Sequence, residues 1–135
     1  MEKIVLLIAI MLLLTSNVFA SQEGVLSLSS FSLESKGIGS SGPVSISGTK
    51  NDKNEFTLLT IKVFGKEYKI SDEDLKKIPS KPYNGIQLSY EHGYKELGGR
   101  TVYIILQFGF TSGNRDRTLI TITESGSVNV EAMKD

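Results

Sequence analysis

The stretch TVYIILQFGF, residues 101–110, decides the fold of this chain. Its apolar side chains recur at every second position, which is the period of a β-strand. One face of such a strand carries Val102, Ile104, Leu106, Phe108 and Phe110. The other face carries Tyr103 and Ile105. Because both faces are apolar, we expect this strand to be central, with a neighbouring strand on each side.

Further strands are predicted on both sides of this stretch along the chain. Residues 118–123 and 128–130 follow it, and the turn signal Ser125-Gly126 separates them. Residues 86–90 precede it, with apolar side chains at alternate positions. Consecutive antiparallel strands joined by short turns form a meander, and we expect that topology here.

Residues 54–71 carry the clearest local pattern, that of a β-hairpin. The first strand has its apolar side chains at Leu59, Ile61 and Val63, and the second at Tyr68 and Ile70. Between them lie Gly65 and Lys66. A glycine at the first central position favours a two-residue type II′ turn, because that position requires positive φ. The pattern predicts two antiparallel strands joined at Gly65-Lys66.

A short helix is predicted directly after this hairpin. Ser71 is a suitable N-cap, acidic residues follow it, lysines come later, and Pro79 ends the segment. Acidic side chains near a helix N-terminus and basic ones near its C-terminus complement the helix dipole. We expect about two turns, with Leu75 and Ile78 facing the sheet because residues three apart share a helix face.

The remaining sequence supports a mainly β class. Residues 21–53 are rich in serine and glycine and are typical of edge strands or mobile connections. Strands do not alternate with long helices, which argues against a parallel α/β sheet. The sequence therefore predicts a mainly β (or α+β) fold, an antiparallel β-meander sheet or sandwich of about 6–8 strands with one short helix.

The N-terminus has the pattern of an export signal. Lys3 precedes an apolar run at residues 4–14, which is too short to cross a hydrocarbon core of ~30 Å as a helix. Val18 and Ala20 are suitable side chains for a cleavage site. We expect residues 1–20 to be a signal peptide and residues 21–135 a single mature domain, with an uncleaved signal anchor as the alternative.

Charge and cysteine content limit the location and the partners. The chain has 15 basic and 15 acidic residues and no cysteine. A formal net charge of zero gives no overall attraction to nucleic acid or to an anionic membrane. Without cysteine, neither a disulfide nor the acylated N-terminus of a bacterial lipoprotein can form. We expect a periplasmic or secreted protein with no membrane span after signal cleavage.

Residues for catalysis or metal binding are few. His92 is the only histidine, and no Gly-x-Ser-x-Gly motif marks a nucleophilic serine. One histidine without cysteines is insufficient for a structural zinc site. We therefore predict no catalytic residue, no metal site and no cofactor, and we expect a protein that is not an enzyme. A hydrolase that uses paired carboxylates is the remaining enzymatic alternative.

Two segments have the composition of a protein interface, in which tyrosine and arginine are enriched. One contains Tyr94 and His92, and the other spans residues 112–117. The predicted partner-binding residues are Ser112, Gly113, Asn114, Arg115, Arg117, Tyr94 and His92. One segment precedes and the other follows the same strand, so they should lie at its opposite ends. The alternative is that the arginines only keep a hairpin tip soluble.

The tip of residues 112–115, Ser-Gly-Asn-Arg, resembles the Ser-Gly loop of small periplasmic lysozyme inhibitors over these few residues. The tyrosine that follows in those inhibitors is replaced here by charge. The resemblance implies a domain that enters the active site of another exported enzyme. The favoured hypothesis is an inhibitor or immunity protein against a cell-wall-targeting enzyme or a secreted toxin. A small envelope protein that binds a ligand or has a structural role is the alternative.

The first prediction concerns export. The mature N-terminus should be Ser21, because Val18 and Ala20 then occupy the positions that signal peptidase reads. The intact mass of the exported product measures this directly. A membrane-bound product that retains residues 1–20 would contradict it.

Overall fold

The computed structural model describes residues 28–93, 96, 98–108 and 116–133. The predicted signal peptide at residues 1–20 and the expected N-terminus at Ser21 lie outside these residues. Phe110, which was expected on the inner face of the central strand, also lies outside them.

Eight strands form two antiparallel four-stranded sheets among the described residues. The first sheet has the order β1 (Ser30–Ser35), β2 (Val44–Lys50), β3 (Phe56–Val63) and β4 (Lys66–Lys69). The second has the order β5 (Tyr83–Glu91), β6 (Thr101–Phe108), β7 (Asp116–Thr123) and β8 (Val128–Ala132). One short helix, α1 (Asp72–Leu75), lies between the sheets in the sequence. Each sheet is a meander in which strands adjacent in sequence are adjacent in space.

The inner faces of the two sheets share one hydrophobic core. The first sheet contributes Val44, Ile46, Phe56, Leu59, Ile61 and Val63. The second contributes Val102, Ile104, Leu106, Phe108, Ile120, Ile122 and Val130. The structure is therefore an antiparallel β-sandwich with one short helix, which confirms the fold class predicted from the sequence.

The central position of residues 101–108 is confirmed. β6 pairs with β5 on one side and with β7 on the other. Ile104 and Leu106 are 0% exposed, whereas Ile105 lies half-buried on the outer face. The two-residue alternation thus places the most apolar face of β6 against the opposite sheet.

The hairpin of β3 and β4 forms as predicted, but its turn is one residue earlier. Val63 pairs with Lys66, so the central residues are Phe64 and Gly65, with φ of 54° and 70°. Positive φ at both central positions defines a type I′ turn. The prediction of a type II′ turn at Gly65-Lys66 is wrong because it assumed that only the glycine would adopt positive φ. Phe64 adopts it as well.

The predicted cap of α1 is present. The Oγ of Ser71 accepts a hydrogen bond from the backbone N–H of Asp74 at 3.1 Å. Leu75 and Ile78 are both buried, as the three-residue spacing predicted. The α-helix ends at Leu75 and is shorter than the expected two turns, although Ile78 N still donates to Leu75 O.

The serine- and glycine-rich part of the chain enters the core more deeply than its composition indicated. β1 is an edge strand, but β2 lies between β1 and β3. Gly48 makes this possible, because a Cβ atom there would lie 2.9 Å from the Phe31 ring and 3.1 Å from the Phe56 ring. Its low strand propensity is therefore offset by the packing of two aromatic side chains.

The core of β6 generates the second prediction. Leu106→Ala should lower the free energy of unfolding by ~2–5 kcal/mol, because it removes apolar contacts and leaves a cavity. Leu58→Ala is the matched control, since Leu58 is 37% exposed on β3. Urea unfolding measures both variants. A loss below about 0.5 kcal/mol for Leu106→Ala would contradict the burial of this face.

Candidate functional site

The two predicted partner-binding residues that the structure describes, His92 and Arg117, do not lie in one site. His92 follows β5 and is exposed, whereas Arg117 lies near the start of β7 and pairs in register with Gln107. Thr101, at the His92 end of β6, and Gln107 are about 20 Å apart at ~3.4 Å per residue. The expectation that the two segments lie at opposite ends is confirmed for these two residues. Tyr94, Ser112, Gly113, Asn114 and Arg115 lie outside the described residues.

At the His92 end, Arg100 and Glu124 form a bidentate ion pair. Nε of Arg100 donates to Oε2 of Glu124 at 3.0 Å, and Nη2 donates to Oε1 at 2.6 Å. The backbone N–H of Arg100 also donates to Oε2 at 3.2 Å. Arg100 directly precedes β6 and Glu124 directly follows β7, so the pair joins two connections of the second sheet.

The same guanidinium reaches the first sheet. Nη1 of Arg100 donates to the carbonyl oxygen of Ser40, which lies between β1 and β2. The guanidinium carbon lies 5.1 Å from the centre of the Phe64 ring, within the range of a cation–π contact. We call the group formed by Ser40, Phe64, Arg100 and Glu124 the clasp, because it connects the two sheets at this end.

A chain of three side chains lies beside the clasp. The hydroxyls of Ser40 and Tyr90 share a hydrogen bond, and Tyr90 Oη shares another with Nδ1 of His92 at 3.1 Å. Gly39, whose φ is 56°, allows this approach because it has no side chain. A Cβ atom at this position would lie 2.9 Å from the Tyr90 ring. His92 is therefore held by a specific contact with Tyr90.

This arrangement lacks the geometry of a catalytic triad. A triad requires the histidine to contact the nucleophilic hydroxyl and a carboxylate to orient the histidine. Here Tyr90 lies between Ser40 and His92, and the carboxylate of Glu124 is bound to Arg100. The hydrogen bonds from Arg100 lower the pKa of Glu124 to about 2, and those to Glu124 raise the pKa of Arg100. Both groups thus remain charged near neutral pH.

The opposite end of the sandwich is closed by aromatic side chains. Phe31 stacks on Tyr83 at 5.2 Å, and Phe56 meets Phe108 edge to face at 6.4 Å. We call these four rings the aromatic cluster. Phe31 and Phe56 come from the first sheet and Tyr83 and Phe108 from the second, so the cluster also connects the sheets.

Lys50 lies against the aromatic cluster. It is 7% exposed, and its Nζ lies 4.9 Å from the centre of the Phe56 ring and 5.7 Å from that of Phe108. Nζ donates to the carbonyl oxygen of Lys81 at 2.7 Å. Burial lowers the pKa of Lys50. Because the aromatic faces and one carbonyl replace water around the ammonium group, this lysine fastens the end of β2 to the chain that enters β5.

Neither a metal site nor a membrane-spanning helix is found within the described parts of the chain. No three side chains among histidine, aspartate and glutamate there are grouped so as to hold a metal ion. The helical segment that the structure describes is not long and apolar enough to cross a membrane. Comparisons with protein-family models, with curated proteins and with solved structures returned no match.

The sequence reasoning missed the clasp and the burial of Lys50. Nothing in the local sequence of Arg100 or Glu124 distinguishes them from the other charged residues. The meander itself contained a signal, because connections two strands apart lie at the same end of a sheet. That rule places Arg100 and Glu124 together. No comparable pattern identifies Lys50, whose neighbours come from β3, from β6 and from the connection that precedes β5.

The clasp generates the third prediction, on the pH dependence of stability. The pKa of Glu124 is about 2 in the folded protein, below its ordinary value of 4.5. Its stabilising effect is therefore complete above about pH 4.5 and disappears as the pH falls towards 2. Glu124→Gln should melt at a lower temperature than the unmodified protein at pH 6, and the difference should shrink between pH 4.5 and 2.

Thermal melting at several pH values measures this effect. Glu131→Gln is the control, because Glu131 is an exposed carboxylate on β8 without a salt bridge among the described residues. A melting-temperature difference for Glu124→Gln that stays constant from pH 6 to pH 2 would mean that the carboxylate charge does not stabilise the fold.

Proposed function

We propose that this protein is an exported, non-enzymatic binding protein of the periplasm or the extracellular space. Its function would be to inhibit, or give immunity against, a cell-wall-targeting enzyme or a secreted toxin. Residues 112–117 would enter the partner, with Arg115 and Arg117 as the principal contacts. The observation that carries the proposal is the firm attachment of both strand ends that flank residues 109–115.

The attachment begins at the end of β6. Phe108 is 1% exposed, and its ring packs on Phe56 and Tyr83 and lies near the ammonium group of Lys50. On the other strand, Asp116 pairs in register with Phe108 and accepts a hydrogen bond from Nζ of Lys81. A connection between two fastened strand ends is suited to recognition, because a rigid scaffold limits the entropy lost on binding.

The chemistry of the arginines favours an acidic target. A guanidinium presents several N–H donors in a planar fork that matches a carboxylate. Enzymes that cleave cell-wall glycans commonly use a pair of carboxylates. An arginine that reaches such a pair in a cleft shielded from water would bind strongly and block substrate. The absence of net charge on the chain agrees with recognition by a few local contacts.

The fourth prediction tests this contact. Chicken-type, goose-type and invertebrate-type lysozymes are the first probes, with inhibition of cell-wall lysis as the measurement. An envelope pull-down supplies further exported enzymes. Replacing both Arg115 and Arg117 with alanine should cost ~2–5 kcal/mol of binding free energy, because a charge in the partner would be left buried and unpaired.

The matched control is Lys62→Ala with Lys69→Ala, which removes two exposed cations from the first sheet and leaves residues 112–117 intact. Thermal melting checks that both double variants are folded. An affinity of the arginine variant within a factor of about two of the original would remove residues 112–117 from the interface. The segment with His92 and Tyr94 would then become the candidate contact.

A further inference from the structure

The edge strand β1 carries most of the exposed apolar surface of the sandwich. Four large apolar side chains are exposed among the described residues, and three of them lie on β1 or within three positions of its ends: Leu28, Leu33 and Ile38. β1 pairs with β2 in a continuous register without a bulge. Residues 28–35 contain no lysine, arginine or proline, which are the residues that commonly protect an edge strand. β1 is therefore open to the addition of another strand.

The other three edge strands have features that discourage such pairing. β4 is only four residues long, with Lys66 and Lys69 at its two ends. β5 has a register shift between Tyr83 and Gly85, which interrupts its regular pairing. β8 has no exposed large apolar side chain, and the charged Glu131 lies near its end. This contrast identifies β1 as the edge at which a strand can be added.

The hydrogen bonding of β1 shows which of its backbone groups are open. The N–H of Lys50 donates to the carbonyl oxygen of Ser29 at 2.7 Å, so these two residues form a hydrogen-bonded pair. Such pairs alternate along antiparallel strands, and the odd-numbered residues of β1 therefore direct their N–H and C=O groups towards β2. Those of Ser30, Ser32 and Glu34 point away from β2. They form a row of donors and acceptors along the free edge.

An apolar cleft of about 270 Å³ opens between β1 and β5 at this same edge. Its lining includes Leu33 of β1 and Ile86 and Leu88 of β5. Leu33 lies on the inner face of β1, because it pairs with the core residue Ile46. It is nevertheless 39% exposed, since no strand lies beside it among the described residues. A strand added next to β1 would cover Leu33 and close the opening of the cleft.

We propose that two copies of this chain associate through β1, which pairs antiparallel with β1 of the partner subunit about a two-fold axis at Ser32. Such pairing makes one strand its own partner and closes the assembly at two copies. Ser32 then lies opposite Ser32 of the partner subunit, and Leu33 lies opposite Phe31 of the partner subunit. The two clefts face each other across the axis and become enclosed.

The side chains favour this register over its neighbours. A shift by two positions in one direction would bring the two Glu34 carboxylates close together, and a further shift would place them directly opposite, where like charges repel. A shift in the other direction would place Leu33 opposite Ser29. In the register centred on Ser32 the two Glu34 side chains are four positions apart, about 14 Å at ~3.4 Å per residue. Each Leu33 meets an aromatic ring.

The overall charge also permits a second copy as the occupant. The formal net charge of the chain is zero, so two copies do not repel each other as highly charged proteins do. The serines at the outer positions of the paired strands are small and uncharged. Dimer formation does not rest on the proposed inhibitory function, because β1 belongs to the first sheet and Arg117 to β7 of the second.

Sedimentation of the exported protein from about 5 to 500 μM tests the proposal, because an interface confined to one strand edge is expected to be weak. The mass should rise with concentration from one copy to two. A monomer at the highest concentration, or a mass that grows beyond two copies, would overturn the closed pairing. Replacing both Arg115 and Arg117 with alanine should leave the dimer unchanged.

Charged residues at the axis test the register. Ser32→Lys and Ser32→Glu should each weaken the dimer by about tenfold, because two like charges then face each other at about 5 Å. An equimolar mixture of the two variants should form a heterodimer. Ser47→Lys is the matched control, because Ser47 is an exposed serine that pairs with Ser32 but lies on the interior strand β2. A stronger dimer for Ser32→Lys would place the new lysine opposite Glu34 and overturn the proposed axis.

Proline variants test the open edge itself. Ser32→Pro removes an N–H group that points away from β2, so the dimer should be lost while the pairing of β1 with β2 remains. Ala132→Pro is the matched control on β8, because Met133 N–H donates to Arg117 and the N–H of Ala132 therefore points away from β7. Thermal melting checks that both variants are folded. Equal effects of the two prolines on the dimer would overturn the assignment to β1.

Discussion

The structure depends on side-chain contacts between two sheets whose strands are not hydrogen-bonded to each other within the described residues. Each sheet is a complete meander, but each also has an apolar inner face that must be covered. Burial of apolar surface is the main force that joins such layers. The chain has no cysteine, so no disulfide supports this packing. The aliphatic centre around Ile61, Ile104 and Leu106 therefore determines whether the sandwich forms.

The contacts at the two ends differ in their physical nature. The clasp relies on charge, and the side chains of Arg100 and Glu124 are 30% and 42% exposed, so water screens their attraction. Its bidentate ion pair fixes the guanidinium in the position from which it contacts Ser40 and Phe64 of the first half of the chain. The aromatic cluster relies on burial, and Lys50 adds a cation that two ring faces surround. Between these ends, β1 and β5 belong to different sheets, and an open cleft lined by Leu33, Ile86 and Leu88 lies between them.

The fold could be predicted from the sequence wherever apolar side chains alternate strictly with a period of two residues. The alternation in residues 101–108 predicted both the strand and its central position, because period-two patterns report directly on the two faces of a sheet. The turn of β3 and β4 was misplaced because Phe64 adopts a conformation that local propensity assigns to glycine. The interior position of β2 was not predicted, because it depends on the packing of Gly48 against aromatic rings from two other strands. Contacts of this kind depend on the tertiary structure, which local patterns do not contain.

The topology also separates His92 and Arg117, the two described residues that the sequence predicted to bind a partner. In a meander, connections alternate between the two ends of the sheet, so the connection after β5 and the connection after β6 are at opposite ends. His92 is bound to Tyr90 and thereby to the clasp, whereas Arg117 pairs with Gln107, next to Phe108 of the aromatic cluster. A partner that inserts into one end of the sandwich cannot simultaneously make a compact contact with the other. A compact partner that contacts His92 would therefore meet different side chains from one that contacts Arg117.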